Sequence, residues 1–525
     1  MNTPRALILA ALATAAAGPV LADVRVPALF SDHLVLQSGR PVPVWGMATA
    51  GEKITVTFAG QSKIAQAGPD GKWSVKLDAL AAAKPAALTV AGHNTITIDD
   101  VLVGDVWLCS GQSNMALPVS KAQDFERERT EAKFPSIRLF RDISGSSPSP
   151  RPDAAGKWIV CSPDTVGDFS AAAYFFGREI HQKLDLPIGL IDSSVGGTPI
   201  EAWTSLDAQK DIPELQPIFA PWTKAQSEWN PEKAKADYEQ QLAAWKLSAD
   251  KAKTDGKTPP TPPRKPADPA MGSQHPGNLF NGKIAPLASF PIRGAIWYQG
   301  EANSYTENAG LYGRQLSIMI TDWRNRWGYD FPFITVQLPD FTKPQTAPVE
   351  NSGRAAVREG VLQSLRLPNV GMAVTLGTGE VASNHPRNKQ EAGRRLALWA
   401  LAEVYKQKDI VASGPLYTAS RVAEGKVILT FTHTDGGLVA KGGPLKGFAI
   451  AGRDQKWLWA DAKIEGDTVV VSSANITEPA AVRYAWATNP ASANLYNQAG
   501  LPASPFRTDD FPLKLGKIAS TDPQE

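Results

Sequence analysis

The feature that most restricts the fold is a change in hydrophobic period along the chain. Between residues 101 and 409, apolar strand-like segments (VLVGDVWLC, LPIGLIDSS, IRGAIWYQG, PFITVQL and VGMAVTL) alternate with helical stretches. This alternation predicts a parallel sheet covered by helices. Residues 23–100 and 410–525 have short segments of period two instead, which predict β-rich regions. We therefore expect an α/β domain between an N-terminal β-sandwich and a C-terminal β-domain.

One stretch, at about residues 205–275, interrupts the α/β pattern. Residues 230–253 (NPEKAKADYEQQLAAWKLSADKAK) are typical of an exposed helix, and the Pro-rich segment TPPTPPRKPADP that follows continues neither a helix nor a strand. We interpret the stretch as an insertion on the surface of the domain. A solvated spacer is the simpler interpretation, and a role in binding is the alternative.

The first 22 residues resemble a secretory signal. Arg5 supplies the positive charge, ALILAALATAAAG is an apolar core too short to span a bilayer, and Ala22 ends a stretch of small residues suited to cleavage. We expect a periplasmic or secreted protein that is cleaved after Ala22 and has no membrane span. In such a compartment Cys109 and Cys161 either form a disulfide or remain two buried thiols.

Charge excludes one class of partner. The chain has 54 Lys and Arg against 52 Asp and Glu, and no basic run stands out. A nucleic-acid partner therefore has no electrostatic support. We also expect no metal site and no cofactor, because the sequence has no C-x-x-C, H-E-x-x-H or EF-hand spacing. The oligomeric state is not evident from the sequence.

The most informative segment is GDVWLCSGQSNM, residues 104–115. It predicts a strand that breaks into a sharp turn and presents Ser113 at the carboxyl end of the sheet, where open α/β sheets place their sites. Ser113 is therefore our candidate nucleophile. The turn is not the G-x-S-x-G elbow of α/β-hydrolases, because Met115 stands at the position of the last glycine. A helix cap is the simpler role for such a serine.

A serine nucleophile needs a base, and histidine titrates in the appropriate range. The chain has six histidines, and two of them, His275 and His385, lie on predicted loops of the α/β region. His385 follows the strand VGMAVTL on the same side of the sheet as Ser113, whereas His275 follows the Pro-rich insertion. We prefer His385 and keep His275 as the alternative.

Acyl transfer also needs donors to the oxyanion. The pair Gly196 and Gly197 follows one predicted strand, and Gln299 follows another. Glycine permits close backbone approach, and an amide side chain donates hydrogen bonds. Each signal is weak alone, but several polar or glycine-rich turns after parallel strands support a common site.

Several long segments resemble the sialate O-acetylesterase family, a branch of the SGNH hydrolases that is similar to carbohydrate acetylesterases acting on plant polysaccharides. These segments are GDVWLCSGQSNM, GLIDSSVGGTPIEAW, GAIWYQGEAN, DWRNRWG and NHPRNKQEAGRRLA. The resemblance implies an SGNH three-layer αβα core. It also implies that Ser113 is the nucleophile, His385 the base, and that Gly197 and Gln299 contribute to the oxyanion site. Gly196 is the alternative glycine.

The sequence departs from the family pattern at one position. Relatives often have Asp two residues before the base, where this chain has Ser383. Such an acid orients the imidazole, so its absence leaves the third catalytic group open. Glu380 and Glu301 are candidates, and a backbone carbonyl is a further one.

The resemblance implies a carboxylic ester hydrolase that acts on an acetylated carbohydrate, through a Ser-His acyl-enzyme. Arg387 suits the carboxylate of a sialic acid, and Trp203 suits a neutral sugar of xylan or xyloglucan. Trp107 and Trp297, inside strands, are expected in the core. The alternative is a catalytically impaired carbohydrate-binding protein on the same scaffold.

Overall fold

The structure, a computed structural model, describes residues 23–81 and 85–516. The predicted signal peptide, residues 1–22, lies outside the described residues, and so do residues 517–525. Within the described part of the chain, no helix is both long and apolar enough to cross a lipid bilayer.

The N-terminal region is built from short strands that pair antiparallel with one another, except for the first, which pairs parallel with a strand of the central sheet. They are β1 (Val35–Gln37), β2 (Val42–Met47), β3 (Lys53–Phe58), β4 (Gln61–Gln66), β5 (Lys72–Leu77) and β6 (Ala86–Ala91). β2 pairs with β5, and β3 pairs with both β4 and β6. In β5, Trp73, Val75 and Leu77 point inward while the residues between them are exposed. This is the period of two that the sequence predicted.

The central sheet follows in the chain. Its strands are β7 (Thr95–Gly111), β8 (Ile137–Arg141), β9 (Trp158–Val160), β10 (Ile188–Ser194), β11 (Gly294–Tyr298), β12 (Phe333–Gln337) and β13 (Val370–Val374). Their spatial order is β13-β12-β11-β7-β10-β8-β9, and every pairing is parallel except that of β9. The predicted α/β fold class is confirmed. β7 lies at the point where the chain changes from one side of the sheet to the other, which is where α/β sheets place their sites.

β7 belongs to two parts of the molecule. Its first half pairs antiparallel with β6, and its second half pairs parallel with β10 and β11. The strand therefore continues through the predicted boundary between residues 100 and 101. Asp100 has a left-handed φ of 56°, and its carboxylate accepts hydrogen bonds from Arg138 of β8 at 2.7 Å and His33 at 2.8 Å. These contacts tie the N-terminal region to the sheet.

Helices cover the central sheet, and others belong to the insertion. They are α1 (Ser113–Ala116), α2 (Phe125–Glu131), α3 (Ala171–Leu184), α4 (Leu206–Gln209), α5 (Gln216–Glu228), α6 (Pro231–Thr254), α7 (Glu301–Ser304), α8 (Tyr312–Trp327), α9 (Gly353–Ser364) and α10 (Lys389–Trp399). α3 packs on α10, and α8 packs on α9. The exposed helix predicted in the insertion is α6, which begins after the Asn230 cap and has Leu247 74% exposed.

The C-terminal region returns to antiparallel strands. They are β14 (Leu416–Ala423), β15 (Lys426–Thr432), β16 (Leu438–Ala440), β17 (Phe448–Ala451), β18 (Trp457–Trp459), β19 (Asp461–Glu465), β20 (Thr468–Ser472), β21 (Ala481–Tyr484), β22 (Leu495–Asn497) and β23 (Phe506–Arg507). Arg358 of α9 is fully buried and donates to the carbonyls of Ala487 and Thr488. This arginine therefore joins the α/β domain to the C-terminal region.

Candidate active site

Ser113 lies where β7 turns into α1. Gly111 ends the strand with a φ of 141°, and a Cβ there would lie 2.1 Å from the carbonyl oxygen of Tyr298. Only glycine fits this turn. Ser113 is the first residue of α1 and is half-buried, so its hydroxyl is supported by the sheet and remains accessible.

His385 reaches Ser113 from a loop that is remote in sequence. The loop connects β13 to α10, and the imidazole Nε2 lies 2.7 Å from the Ser113 Oγ. The backbone N–H of His385 donates to the Ser383 Oγ at 3.0 Å. Ser383, at the position of the usual family aspartate, therefore shapes the turn that carries the imidazole. The structure brings together the two residues on which the sequence prediction depended.

Three buried residues connect the loops around this pair, and we call Asn114, Glu301 and Lys389 the anchor cluster. The Asn114 Nδ2 donates to the Glu301 Oε1 at 2.6 Å, and the Lys389 Nζ donates to the Asn114 Oδ1 at 2.7 Å. All three side chains are fully buried. Burial lowers the pKa of Lys389 to about 7, although the Glu301 and Glu380 charges oppose this shift.

The anchor cluster also holds the backbone of the histidine loop. Asn114 donates to the carbonyl of Asn384 at 3.0 Å, and Lys389 donates to the carbonyl of Pro386 at 2.5 Å. These carbonyls belong to the residues on either side of His385. The neighbour of the nucleophile in sequence is thus hydrogen-bonded to the neighbour of the imidazole, which fixes the distance between the two reacting side chains.

The glycine pair lies against the nucleophile. A Cβ on Gly196 would lie 3.5 Å from the Ser113 Cβ, and Gly197 has a left-handed φ of 66°. Among the described residues, the N–H of Gly197 has no protein acceptor. The N–H of Ser113 opens α1, where first-turn donors have no partner within the helix. The geometry leaves two backbone donors near the serine hydroxyl.

Comparison with known proteins identifies the family. A family model described as a carbohydrate esterase, sialic acid-specific acetylesterase, matches residues 279–402. The chain is 30% identical to the sialate O-acetylesterase of Rattus norvegicus, over 92% of this chain and 94% of that protein. It is 29% identical to the Homo sapiens sialate O-acetylesterase, over 91% of each chain. The chain belongs to the sialate O-acetylesterase family. It is therefore an esterase.

A solved structure has the same fold over nearly the whole chain. The crystal structure of a carbohydrate acetylesterase from Xanthomonas citri superposes with a TM-score of 0.78 and 34% identity. The match covers 93% of this chain and 100% of that one. The agreement includes the β-rich regions on both sides of the central sheet, as the resemblance to SGNH hydrolases implied.

Gln299, for which the family resemblance implies a role at the oxyanion, is fully buried. Its amide nitrogen donates to the Thr198 carbonyl at 3.0 Å and to the Asn303 Oδ1 at 2.8 Å, and its carbonyl oxygen accepts from the Tyr312 hydroxyl at 2.9 Å. Both amide hydrogens already have acceptors. A role at the oxyanion requires one of these bonds to be exchanged, so that role stays a prediction. The observed role is to hold the loop that carries Gly197.

Trp203 corrects a prediction. The sequence suggested that its ring binds sugar, but the side chain is fully buried. Its Nε1 donates to the Thr198 Oγ1 at 2.9 Å, and its ring packs edge-on against Trp297 at 5.8 Å. The prediction of a sugar platform at Trp203 is wrong, because no face of the ring reaches solvent. Trp107 and Trp297 are in the core, as predicted.

The two candidate acids have different surroundings. The Glu301 carboxylate lies in the anchor cluster, and its Oε2 has no hydrogen-bond partner among the described residues. The Glu380 Oε1 accepts from the backbone N–H of Arg387 at 2.7 Å, which closes the loop around His385. These contacts give both acids a structural role. The group that orients the imidazole stays a prediction.

The remaining candidates lie outside the Ser113 contacts. The Arg387 side chain is exposed, so a contact with substrate stays a prediction. His275 packs edge-on against Trp222 of α5, and its Nε2 lies 2.7 Å from the Gln226 Nε2. The structure therefore brings His385, and not His275, to the serine. Cys109 and Cys161 are both buried and free. In the described chain, no cluster of three His, Cys, Asp or Glu suits a metal ion.

Proposed function

We propose that this esterase removes O-acetyl groups from carbohydrate through an acyl-enzyme on Ser113, with His385 as the base. The observation that carries the proposal is the 2.7 Å contact between the His385 Nε2 and the Ser113 Oγ. A general base must lie within hydrogen-bond reach of the proton that it removes, and this distance satisfies that requirement.

The reaction proceeds in two balanced steps. The Ser113 Oγ attacks the acetyl carbonyl while the His385 Nε2 takes its proton, and the N–H groups of Ser113 and Gly197 stabilise the oxyanion. The imidazolium then protonates the departing sugar oxygen, which leaves an acetyl ester on Ser113. Water gives a proton to His385 and attacks the carbonyl of this ester; the bond from the acetyl carbon to the Ser113 Oγ then breaks, the imidazolium returns its proton to the Oγ, and acetic acid leaves as acetate.

The relatives support the carbohydrate part of the proposal. The rat and human proteins are named sialate O-acetylesterases, and the Xanthomonas citri structure is that of a carbohydrate acetylesterase. Both names describe hydrolysis of an acetyl ester on a sugar. Sialic acid and an acetylated hemicellulose such as xylan or xyloglucan are the two substrate classes to be compared.

The decisive test is acetate release by the Ser113→Ala variant. Ser120→Ala is a matched control, because Ser120 is an exposed serine close in sequence. We expect Ser113→Ala to reduce kcat on p-nitrophenyl acetate by at least about a thousandfold with an unchanged melting temperature, while Ser120→Ala keeps wild-type kcat. Wild-type turnover by Ser113→Ala would refute the proposed nucleophile. Background hydrolysis by the wild-type protein would instead favour a binding protein on an esterase scaffold.

A further inference from the structure

A cavity of about 230 Å³ lies at the carboxyl ends of β8 and β10. Its polar lining residues are Arg141, Asp142, Ser144, Asp192, Ser194 and Lys283, and we call it the polar cavity. It lies on the edge of the sheet where parallel α/β proteins bind ligands. None of these residues belongs to the acyl-transfer machinery described above.

The polar cavity shares a wall with the nucleophile. Ala116 lines it and lies three residues after Ser113 in α1, a spacing that places two residues on one face of a helix. Val195 lines it too and immediately precedes the glycine pair, and its N–H donates to the Gly111 carbonyl at 3.0 Å. The polar cavity is therefore lined by the helix that carries the nucleophile and by the residue that precedes the glycine pair.

Asp192 presents an unused acceptor in this cavity. The residue is 6% exposed, and its Oδ1 accepts a hydrogen bond from the Ser194 Oγ at 2.6 Å. Its Oδ2 accepts no hydrogen bond from any described residue. This oxygen is not sealed from solvent, so it is available to a ligand in the cavity. A hydroxyl group of a ligand would supply the missing donor.

The charges in the cavity are balanced. The Lys283 Nζ lies 3.2 Å from the Asp142 Oδ2 and donates to the carbonyls of Asp142 and Ser144 at 2.8 and 3.1 Å. Lys283 is thus fully occupied by the protein. The remaining cation, Arg141, is exposed and forms no ion pair among the described residues, and Asp192 is the remaining carboxylate of the cavity. The two cations and two carboxylates leave no excess positive charge for the carboxylate of an anionic sugar, whereas carboxylate and hydroxyl acceptors suit neutral sugar hydroxyls.

We propose that the polar cavity binds the hydroxyl groups of the neutral sugar ring that carries the acetyl ester, with Asp192 and Ser194 as its hydrogen-bonding residues. This inference rests on the proposed function, because it assigns the sugar side of the same ester. The volume agrees with one ring, since it is below the roughly 300–1,000 Å³ of pockets for drug-sized ligands.

The first test measures binding and does not require turnover. In the Ser113→Ala background, calorimetry gives the affinity for an acetylated xyloglucan oligosaccharide with and without Asp192→Asn or Ser194→Ala. We expect Asp192→Asn to weaken binding at least tenfold and Ser194→Ala several-fold, because a charge-assisted hydrogen bond is lost or misdirected. Asp164→Asn, at an exposed aspartate, is the control and should bind as the parent does. Unchanged affinity in both cavity variants, with melting temperatures that show folded protein, would overturn the inference.

The second test separates the sugar from the acyl group. The ratio of kcat/KM for the oligosaccharide ester to kcat/KM for p-nitrophenyl acetate should fall at least tenfold in Asp192→Asn. An equal loss on both esters would show a merely structural role and overturn the inference. So would faster wild-type hydrolysis of 9-O-acetyl sialic acid than of the neutral ester, with loss of that preference in Arg141→Gln. Failure of the proposed function would give a different result: the wild-type protein would hydrolyse none of the esters. The calorimetric experiment would still show whether the polar cavity binds the oligosaccharide.

Discussion

The anchor cluster and the polar cavity each include a residue of α1, Asn114 and Ala116, and they differ in how their polar atoms are used. In the anchor cluster, Asn114 uses both its amide nitrogen and its carbonyl oxygen on buried partners. In the polar cavity, the Asp192 Oδ2 has no partner among the described residues, and the Arg141 side chain is exposed. The anchor cluster is closed by the protein itself, and the polar cavity is open.

The difference indicates that the anchor cluster positions the reacting residues, whereas the polar cavity binds substrate. Hydrogen bonds join the three buried side chains of the anchor cluster, with only the Glu301 Oε2 left without a partner among the described residues, and rigid support of this kind is what a near-attack geometry requires. A site that binds substrate must instead keep donors and acceptors unsatisfied until the ligand arrives. Substitutions in the anchor cluster should therefore change stability and kcat, whereas substitutions in the polar cavity should change KM.

Outside the reacting pair of Ser113 and His385, the largest effect is expected from Asn114→Leu. This change leaves the Glu301 carboxylate buried without its donor and releases the loop on which His385 lies. We expect a loss of about 1–3 kcal/mol in the free energy of unfolding and a fall of about a hundredfold in kcat on p-nitrophenyl acetate. Asn325→Leu, at an exposed asparagine of α8, is the control. Wild-type kcat in Asn114→Leu would show that the anchor cluster does not position the reacting pair.

The next effect is a pH dependence of stability that comes from Lys389. Its pKa falls from 10.5 to about 7 on folding because of burial, in surroundings that include Glu301, Glu380 and Asn114. Between these values the unfolded chain binds more protons than the native protein, so the contribution of Lys389 to stability increases with pH, by up to about 1.4 kcal/mol per pH unit. Below about pH 7 its contribution is at its minimum.

Lys389→Met should remove that dependence. Urea unfolding at pH 7 and pH 9 gives the slope for each protein, and Lys408→Met, at an exposed lysine, should retain the wild-type slope. The same slope in Lys389→Met and in the wild type would mean that this lysine does not titrate in the native protein over that range.

A smaller effect is expected in the polar cavity, from Arg141→Gln. The side chain is exposed and forms no ion pair in the described chain, so the free energy of unfolding should change by no more than about 0.5 kcal/mol. KM for a neutral sugar ester should rise about threefold, because Arg141 is one of the few donors at the cavity wall. A destabilisation as large as that of Asn114→Leu would remove the contrast between the anchor cluster and the polar cavity.

The smallest effect is expected from Leu247→Ser in α6. Leu247 is 74% exposed on the insertion and belongs neither to the anchor cluster nor to the lining of the polar cavity. We expect no measurable change in kcat or KM and less than about 0.5 kcal/mol in stability. A marked rise in KM on a long polysaccharide, and not on p-nitrophenyl acetate, would show that the insertion contacts substrate.

The sequence was sufficient to predict that Ser113 and His385 meet. Each follows a parallel strand, β7 and β13, and the carboxyl ends of parallel strands lie at one edge of a sheet. The chemistry of the pair and the long family motifs pointed to the same two residues. The edge strand β9 and its neighbour β8 were not predicted, because both are short and lack a long apolar run.

The anchor cluster could not be predicted in the same way. Lysine is rarely buried, so Lys389 near the start of a helix looks like a solvated residue until partners from remote loops surround it. The prediction for Trp203 failed for a different reason. An aromatic residue beside a glycine loop suits either a binding surface or a core. The contact of its indole with Thr198 decides between them, and that contact depends on how the turn at Ile200–Trp203 folds back.

The continuity of β7 limits how this protein can be engineered. Seventeen residues in one strand, a span of roughly 55 Å, begin in the N-terminal sheet and end two residues before the serine. A cut or a graft at residue 100 would divide a single hydrogen-bonded ribbon. The N-terminal β region therefore cannot be exchanged without β7. A chimaera that replaces it must also take the segment through Gly111 from the same parent protein.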